Sequence, residues 1–170
     1  MRKVRFSAAV SLDGYIAGPS GESDWIVMDP DIDFAALMGT FDTLLLGRKT
    51  YEATRQYGGG QMPGTRAYVF SHTLRQEDCP GVTVSKDVEE TVKGLKTGSG
   101  KDIWLFGGGG LFRSLLELRL VDSVELAVIP VLLGRGLPFL PNLATQTKLT
   151  LKNHRAYPKT GTVLLEYAPS

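Results

Sequence analysis

An apolar strand that runs straight into four consecutive glycines constrains this chain more than any other feature. The stretch reads Ile103, Trp104, Leu105, Phe106, then Gly107, Gly108, Gly109 and Gly110, then Leu111 and Phe112 at the start of a helical pattern. Four adjacent glycines are costly to order, because glycine loses more backbone freedom on folding than any other residue. They make physical sense where a backbone turns sharply and approaches a ligand closely. The first N–H groups of a helix are unpaired and its dipole favours an anion, so a phosphate or pyrophosphate suits the position. A tight strand-to-helix turn that holds nothing would use the same residues, and the segment alone leaves both open. Two familiar phosphate motifs do not apply. A P-loop needs Gly-Lys-Ser/Thr after the glycine run, and here Leu111 and Phe112 follow. A Rossmann fingerprint needs a sixth-position glycine, where this chain has Phe112, and it belongs in the first strand–helix unit rather than late in the chain.

A chain of 170 residues suits one domain with a single sizeable core, spanning residues 1–170. The formal net charge is +1 and no block of lysines and arginines stands out, so a nucleic-acid or membrane-surface role has no electrostatic support. No apolar run reaches the roughly 20 residues of a membrane span. The charged start and the break at Asp13 and Gly14 do not read as a signal peptide. Cys79 is the only cysteine, which excludes an intramolecular disulfide and makes a cytoplasmic location the simplest expectation. With only His72 and His154 and no Cys/His cluster, no metal site is expected.

Periodicity places strands at residues 4–10, 42–46, 66–70, 82–84, 102–106 and 124–131, and helices at 31–38, 87–95 and 111–118, with a short helix beginning at Arg48. Asp87 reads as an N-cap. Residues 11–28 read as one long loop, a length that within a compact domain is usually functional or disordered. Residues 149–156 and 162–167 alternate around a 158–161 turn and form a terminal hairpin. Strands that alternate with helices and then run on alone predict a mostly parallel sheet, covered on both faces, with an antiparallel C-terminal edge.

Three strand ends carry residues suited to phosphate. Gly47-Arg48-Lys49-Thr50 follows a buried strand; Arg48 offers a planar fork and Thr50 a hydroxyl. Ser71 and His72 follow another strand, and with Arg48 they could hold the extra phosphate that separates NADP from NAD. The glycine run ends the third. The early loop combines Asp13, Gly14, Tyr15, Ile16, Asp24 and Trp25, a composition suited to a mobile lid over a ring-shaped ligand. Asp13 and Asp24 equally suit turns, and Asp31 and Asp33 equally suit a helix start.

Taken together these pieces resemble the dihydrofolate reductase superfamily, in order and over nearly the whole chain. Leu44-Leu45-Leu46-Gly47-Arg48-Lys49-Thr50-Tyr51 is similar to the family's strand followed by Gly-Arg-Lys/His-Thr-aromatic. The Phe106–Phe112 stretch is similar to its paired-glycine turn before a helix, and Val69-Phe70-Ser71 to the strand end beside the adenosine. Ser11-Leu12-Asp13-Gly14, Ser23-Asp24-Trp25-Ile26 and Pro130-Val131-Leu132-Leu133-Gly134 resemble the branch formed by the reductase domain of riboflavin biosynthesis and its stand-alone relatives. The resemblance implies a three-layer α/β/α domain, NADPH, and hydride transfer to a pyrimidine or pteridine-like ring. The implied activity is of the 5-amino-6-(5-phosphoribosylamino)uracil reductase type, with dihydrofolate-type reduction as the alternative and a non-catalytic NADPH-binding module as the rival. It assigns Gly47, Arg48, Thr50, Phe70, Ser71, His72, Phe106, Gly107, Gly108, Gly109, Gly110 and Leu111 to the cofactor, with Ala8 and Ile16 near the nicotinamide. It assigns Asp13, Trp25 and Phe112 to the substrate, and Asp13 or Asp31 to catalysis. It also implies a homodimer. Two departures stand out. Phe106 replaces the glutamate that the riboflavin branch carries before the paired glycines, and that branch's arginine- and histidine-bearing helix has no counterpart after Trp25.

Overall fold

The first strand, β1 (Val4–Ser11), occupies the middle of the molecule because it is covered from both sides: Val4, Phe6 and Val10 face one layer, while Arg5, Ser7 and Ala9 face the other. A computed structural model describes all 170 residues. After β1 come β2 (Tyr15–Ala17), α1 (Phe34–Met38), β3 (Phe41–Gly47), α2 (Arg48–Thr54), β4 (Arg66–Phe70), β5 (Thr83–Ser85), α3 (Val88–Thr97), β6 (Asp102–Gly107), α4 (Gly109–Glu117), β7 (Ser123–Ile129), β8 (Leu137–Pro138), β9 (Leu149–Tyr157) and β10 (Thr162–Pro169). Eight strands form one sheet in the order β5-β4-β3-β6-β1-β7-β10-β9. The six from β5 to β7 are parallel, and β10 and β9 close the edge antiparallel.

The continuous run Leu44-Leu45-Leu46 has no polar alternation because both of its faces are covered. Phe6, Leu45, Leu105, Leu115 and Val92 pack in one cluster beneath α3 and α4. Leu44, Leu46, Tyr51, Val69 and Trp104 pack in a second cluster, against which α1 sets Leu37 and Met38. The result is the expected three-layer α/β/α arrangement.

Local chemistry explains where elements begin and end. Asp87 caps α3 by accepting from the Glu90 N–H at 2.8 Å, as its position predicts. The first helix is shorter than the periodicity of residues 31–38 suggests. The Asp33 carboxylate accepts from the Ala36 N–H at 2.8 Å and fixes the helix start at Phe34. The loop expected at residues 11–28 is also not wholly irregular. Within it β2 pairs antiparallel with β8, a two-residue strand too short to show a pattern. A side chain at Gly136 would collide with the carbonyl of Ala17, so glycine is what lets these segments close.

Phe112, assigned above to the substrate, is instead a core residue. It is 1% exposed and lies flat on Phe6, with ring centroids 3.8 Å apart and planes 2° from parallel. As the fourth residue of α4, it points its side chain back into the sheet rather than toward the strand ends. Phe112→Ala should cost about 3–5 kcal/mol of stability. Urea unfolding checks this, and an unchanged midpoint would remove the ring from the core.

Candidate active site

The C-terminal ends of the parallel strands are where an open α/β sheet leaves a crevice. Here β3 ends at Gly47 and β6 at Gly107, neighbours in the sheet. Gly107 has φ +118°, a conformation that only glycine adopts freely, and a cis peptide bond joins it to Gly108. The four glycines then divide into distinct duties. A Cβ on Gly108 would sit 3.1 Å from the Thr50 hydroxyl and 4.0 Å from Ile16 Cδ1, so these side chains flank its backbone. A Cβ on Gly109 would strike Pro141 and the carbonyls of Pro138 and Phe139 at 2.7–2.8 Å; this glycine lets α4 dock against the 138–141 loop. Gly110 faces open space, with nothing within 4 Å of where a Cβ would stand. No side chain caps α4, so its first N–H groups remain available. Thr50 is engaged within the chain through its carbonyl, which accepts from Thr54 Oγ1 at 2.9 Å, and its own hydroxyl is left without a partner.

The structure thus brings Ile16, Gly47, Thr50, Gly107, Gly108 and Gly110 together. Arg48 lies on the outer side of the same crevice, about half exposed, where its Nη1 donates to Thr73 Oγ1 at 3.1 Å. Thr73 is a member of this group that sequence reasoning misses. Ser71 is buried, and its hydroxyl accepts from the N–H groups of Thr73 and Leu74 at 3.1 and 3.0 Å. Its visible work is to fold the turn that presents Thr73 beside Arg48. His72 is exposed in that turn. The side chains of Phe70 and Leu111 belong to the core, and Phe106 stands edge-on to Trp104 at 4.9 Å, so these three offer the crevice backbone rather than side chain.

The two acids assigned to catalysis hold other partners. Asp13 Oδ1 accepts from Ser11 Oγ at 2.6 Å and from the Leu133 N–H at 3.1 Å; Oδ2 accepts from the Gly134 N–H at 2.7 Å. The Ser11 hydroxyl and these backbone donors hold the carboxyl below the usual aspartate range. A carboxylate kept ionised in this way is a poor proton donor, and its role is to clasp the early loop to residues 133–134. Asp31 pairs with Lys159 Nζ at 2.7 Å. Trp25 donates its indole N–H to the Glu22 carbonyl at 3.1 Å and does not line the cleft described next.

That cleft lies on the α1 side of the sheet, with a volume of about 480 Å³, and none of Ile16, Gly47, Thr50, Gly107, Gly108 and Gly110 lines it. Ala8, Ala9 and Ala127 contribute to its floor, Phe34 and Met38 to its roof, and Trp104 to its wall. Ala8 lines the cleft and also packs against the core cluster beneath α3 and α4, and the cleft's indole is Trp104 rather than Trp25. The segment leading to α1 is tied down by Asp29, only 2% exposed. Burial pushes its pKa upward, but the Asp31 N–H and the Thr160 hydroxyl and N–H outweigh that and leave it below the usual range.

The fold and the crevice define a reductase-type α/β domain. The chain matches the family model of the RibD C-terminal domain over residues 2–163 and belongs to that family. It is 35% identical to YyaP, an uncharacterized protein of Bacillus subtilis (strain 168), over 98% of this chain and 94% of that protein. Its structure is similar to that of a Shewanella sp. PV-4 chain described as a riboflavin biosynthesis protein, with a TM-score of 0.83, 23% identity, and 100% and 99% of the two chains covered. It is also similar to dihydrofolate reductase from Enterococcus faecalis complexed with NADP(H), with a TM-score of 0.70, 20% identity, and 99% and 96% covered. The dihydrofolate reductase-like fold expected from the sequence is therefore established.

The glycines should separate by experiment. Gly109→Ala should lower the thermal midpoint clearly, because its Cβ has no room against rigid backbone, whereas Gly110→Ala should fold at least as stably, gaining up to about 1 kcal/mol of helix propensity. Equal melting behaviour would contradict the division of duties. The Asp13 clasp should depend on acid. Because its folded pKa is depressed, its contribution is complete above the unfolded aspartate value of about 4 and is lost as pH falls through the folded value. The protection of the Leu133 and Gly134 amides, taken as their exchange rate relative to the intrinsic rate at each pH, should fall over that interval, and Asp13→Asn should make that protection pH-independent there.

Proposed function

We propose that this chain is an NADPH-dependent reductase that delivers hydride to a pyrimidine or pteridine-like small molecule, in the manner of 5-amino-6-(5-phosphoribosylamino)uracil reductase. One observation carries the reading. The Gly107–Gly108 backbone lies bare between Ile16 and the unpartnered Thr50 hydroxyl at the C-terminal strand ends, in a sheet whose α1 face carries an apolar cleft of about 480 Å³. The residues present suit the cofactor. The free N–H groups at the start of α4 and the open space at Gly110 would take the pyrophosphate. Arg48, with Thr73 beside it, would take the phosphate that distinguishes NADPH from NADH.

When bound, NADPH supplies the hydride, and the protein supplies position and charge. Ile16 and Gly108 would bound the space for the nicotinamide. The alanine floor and the α1 roof would hold the acceptor ring against it and exclude water, which is how orientation lowers a barrier. The rival reading, a nucleotide-binding module without turnover, draws on the engagement of Asp13 and Asp31 elsewhere, which leaves neither as a ready proton donor.

Titration with NADPH and NADH, followed by Trp104 and Trp25 fluorescence, tests the proposal, and consumption of NADPH with a pyrimidine or pterin separates reductase from module. Arg48→Ala should cost about 1.5–3 kcal/mol of NADPH binding and little of NADH binding. Equal losses for both would refute the phosphate role of Arg48, and no binding of either cofactor would make the glycine turn purely structural.

A further inference from the structure

From Phe6 to Gly47 the chain carries seven carboxylates and no lysine, arginine or histidine. This stretch supplies most of β1, the early loop and the whole roof of the cleft. Within the roof, acids and apolar side chains part company. Asp29 is taken by Thr160, Asp31 by Lys159 Nζ at 2.7 Å and Asp33 by the Ala36 N–H at 2.8 Å, and none of the three lines the cleft. Ile26, Met28, Ile32, Phe34, Leu37 and Met38 line it instead. The first two ties fasten the roof to the 158–161 turn, and Leu37 and Met38 pack on the second core cluster, so the apolar surface is held in place. The floor is equally bare of cations: Ala9, Ala127 and Leu164 stand in register across β1, β7 and β10. Charge enters at the borders only. Glu125 is held by Arg5 at 2.6 and 2.9 Å, and Glu166 shares with it the polar hollow that holds Lys3, Arg5 and Lys152, so the charges of that border compensate one another. Arg155 is the single lysine or arginine that lines the cleft. It is exposed on the edge strand β9, beside the exposed His154, with its guanidinium 4.7 Å from the Tyr157 ring centre.

Resting on the reductase reading, we infer that the cleft selects an uncharged aromatic ring system that bears no phosphate or carboxylate. A volume of about 480 Å³ suits such a guest. A phosphate or carboxylate placed between roof and floor would lose its water and gain no cation, which is costly. The acid-only stretch around it adds a negative field that turns anions away before they enter. An anion drawn to Arg155 would stay in solvent at the rim, where one exposed pair contributes little. The charge of the chain is sorted accordingly. After Arg5 the next basic residue is Arg48, at the crevice proposed for the cofactor. Positive charge is thus provided for the cofactor's phosphates and withheld from the ring-binding side. This parts the substrate from phosphoribosyl compounds: the hydride chemistry is retained and the anionic substituent is not.

The test uses 2-naphthamide and 2-naphthoate, which share one ring and nearly one shape and differ by a charge. Calorimetric titration of the full chain should show the amide binding roughly 10-fold or more tightly than the carboxylate. Ribose 5-phosphate should not displace the amide. Phe34, half-exposed at the start of α1, is the place to add the missing cation. Phe34→Arg should shift the amide-to-carboxylate ratio toward the carboxylate by roughly 10-fold. Phe34→Leu, which adds no charge, should leave the ratio unchanged, and both variants should keep the native thermal midpoint within a few degrees. Four results would overturn the inference: no binding of the amide, a carboxylate that binds as tightly, displacement of the amide by ribose 5-phosphate, or a ratio that Phe34→Arg does not move. NADPH affinity is measured alongside. Its absence would remove the reductase reading, while intact NADPH binding without discrimination between amide and carboxylate would remove only the charge selection.

Discussion

The architecture of the site depends on backbones that come closer than side chains allow. Where β6 turns into α4, the chain passes between the end of β3, the Thr50 side chain and the 138–141 loop, and glycine is what admits all three. Gly109 seats the helix where a Cβ would stand only 2.8 Å from two carbonyl oxygens, which fixes the direction of α4, and Gly108 exposes bare backbone beside Thr50 and Ile16. The first contact is packing and the second is an opening. The packing of one glycine holds the neighbouring one in place, so the crevice is rigid where it must be accurate and empty where a guest must fit.

Acidic side chains around this frame serve as fasteners. Asp13, Asp29 and Asp33 each accept from backbone N–H groups and fasten, respectively, the early loop, the segment before α1, and α1 itself. Their charge is committed to structure, and the lowered pKa values of Asp13 and Asp29 record that.

Much of this is legible in the residues. Strong periodicity reveals the parallel strands and the C-terminal hairpin, and the Asp87 cap can be placed because capping is a local interaction between neighbours in sequence. The glycine run points to the crevice because so unfavourable a segment needs a reason. What stays hidden is long-range. Asp13 looks like a free acid in the sequence because its partners lie about 120 residues away at Leu133 and Gly134. Asp29 carries no signal at all, because Thr160, its partner, lies 131 residues along the chain. Phe112 misleads for the opposite reason: adjacency to the glycines suggests a ligand, whereas helix geometry turns the ring onto Phe6.

The central position of β1 shapes how the molecule comes into being. It lies between β6 and β7, in pairs such as Val4 with Ile103 and Phe6 with Val124. During synthesis β1 emerges before the other strands of the sheet and has no neighbour in that sheet to join until Asp102 and the residues after it have left the ribosome. Its apolar side chains must wait through that interval without their sheet, and closing so long a loop is a slow, entropically costly step. The strand on which the whole sheet is centred is thus the last of the early elements to find its place, and assembly of the domain is gated by the arrival of its second half.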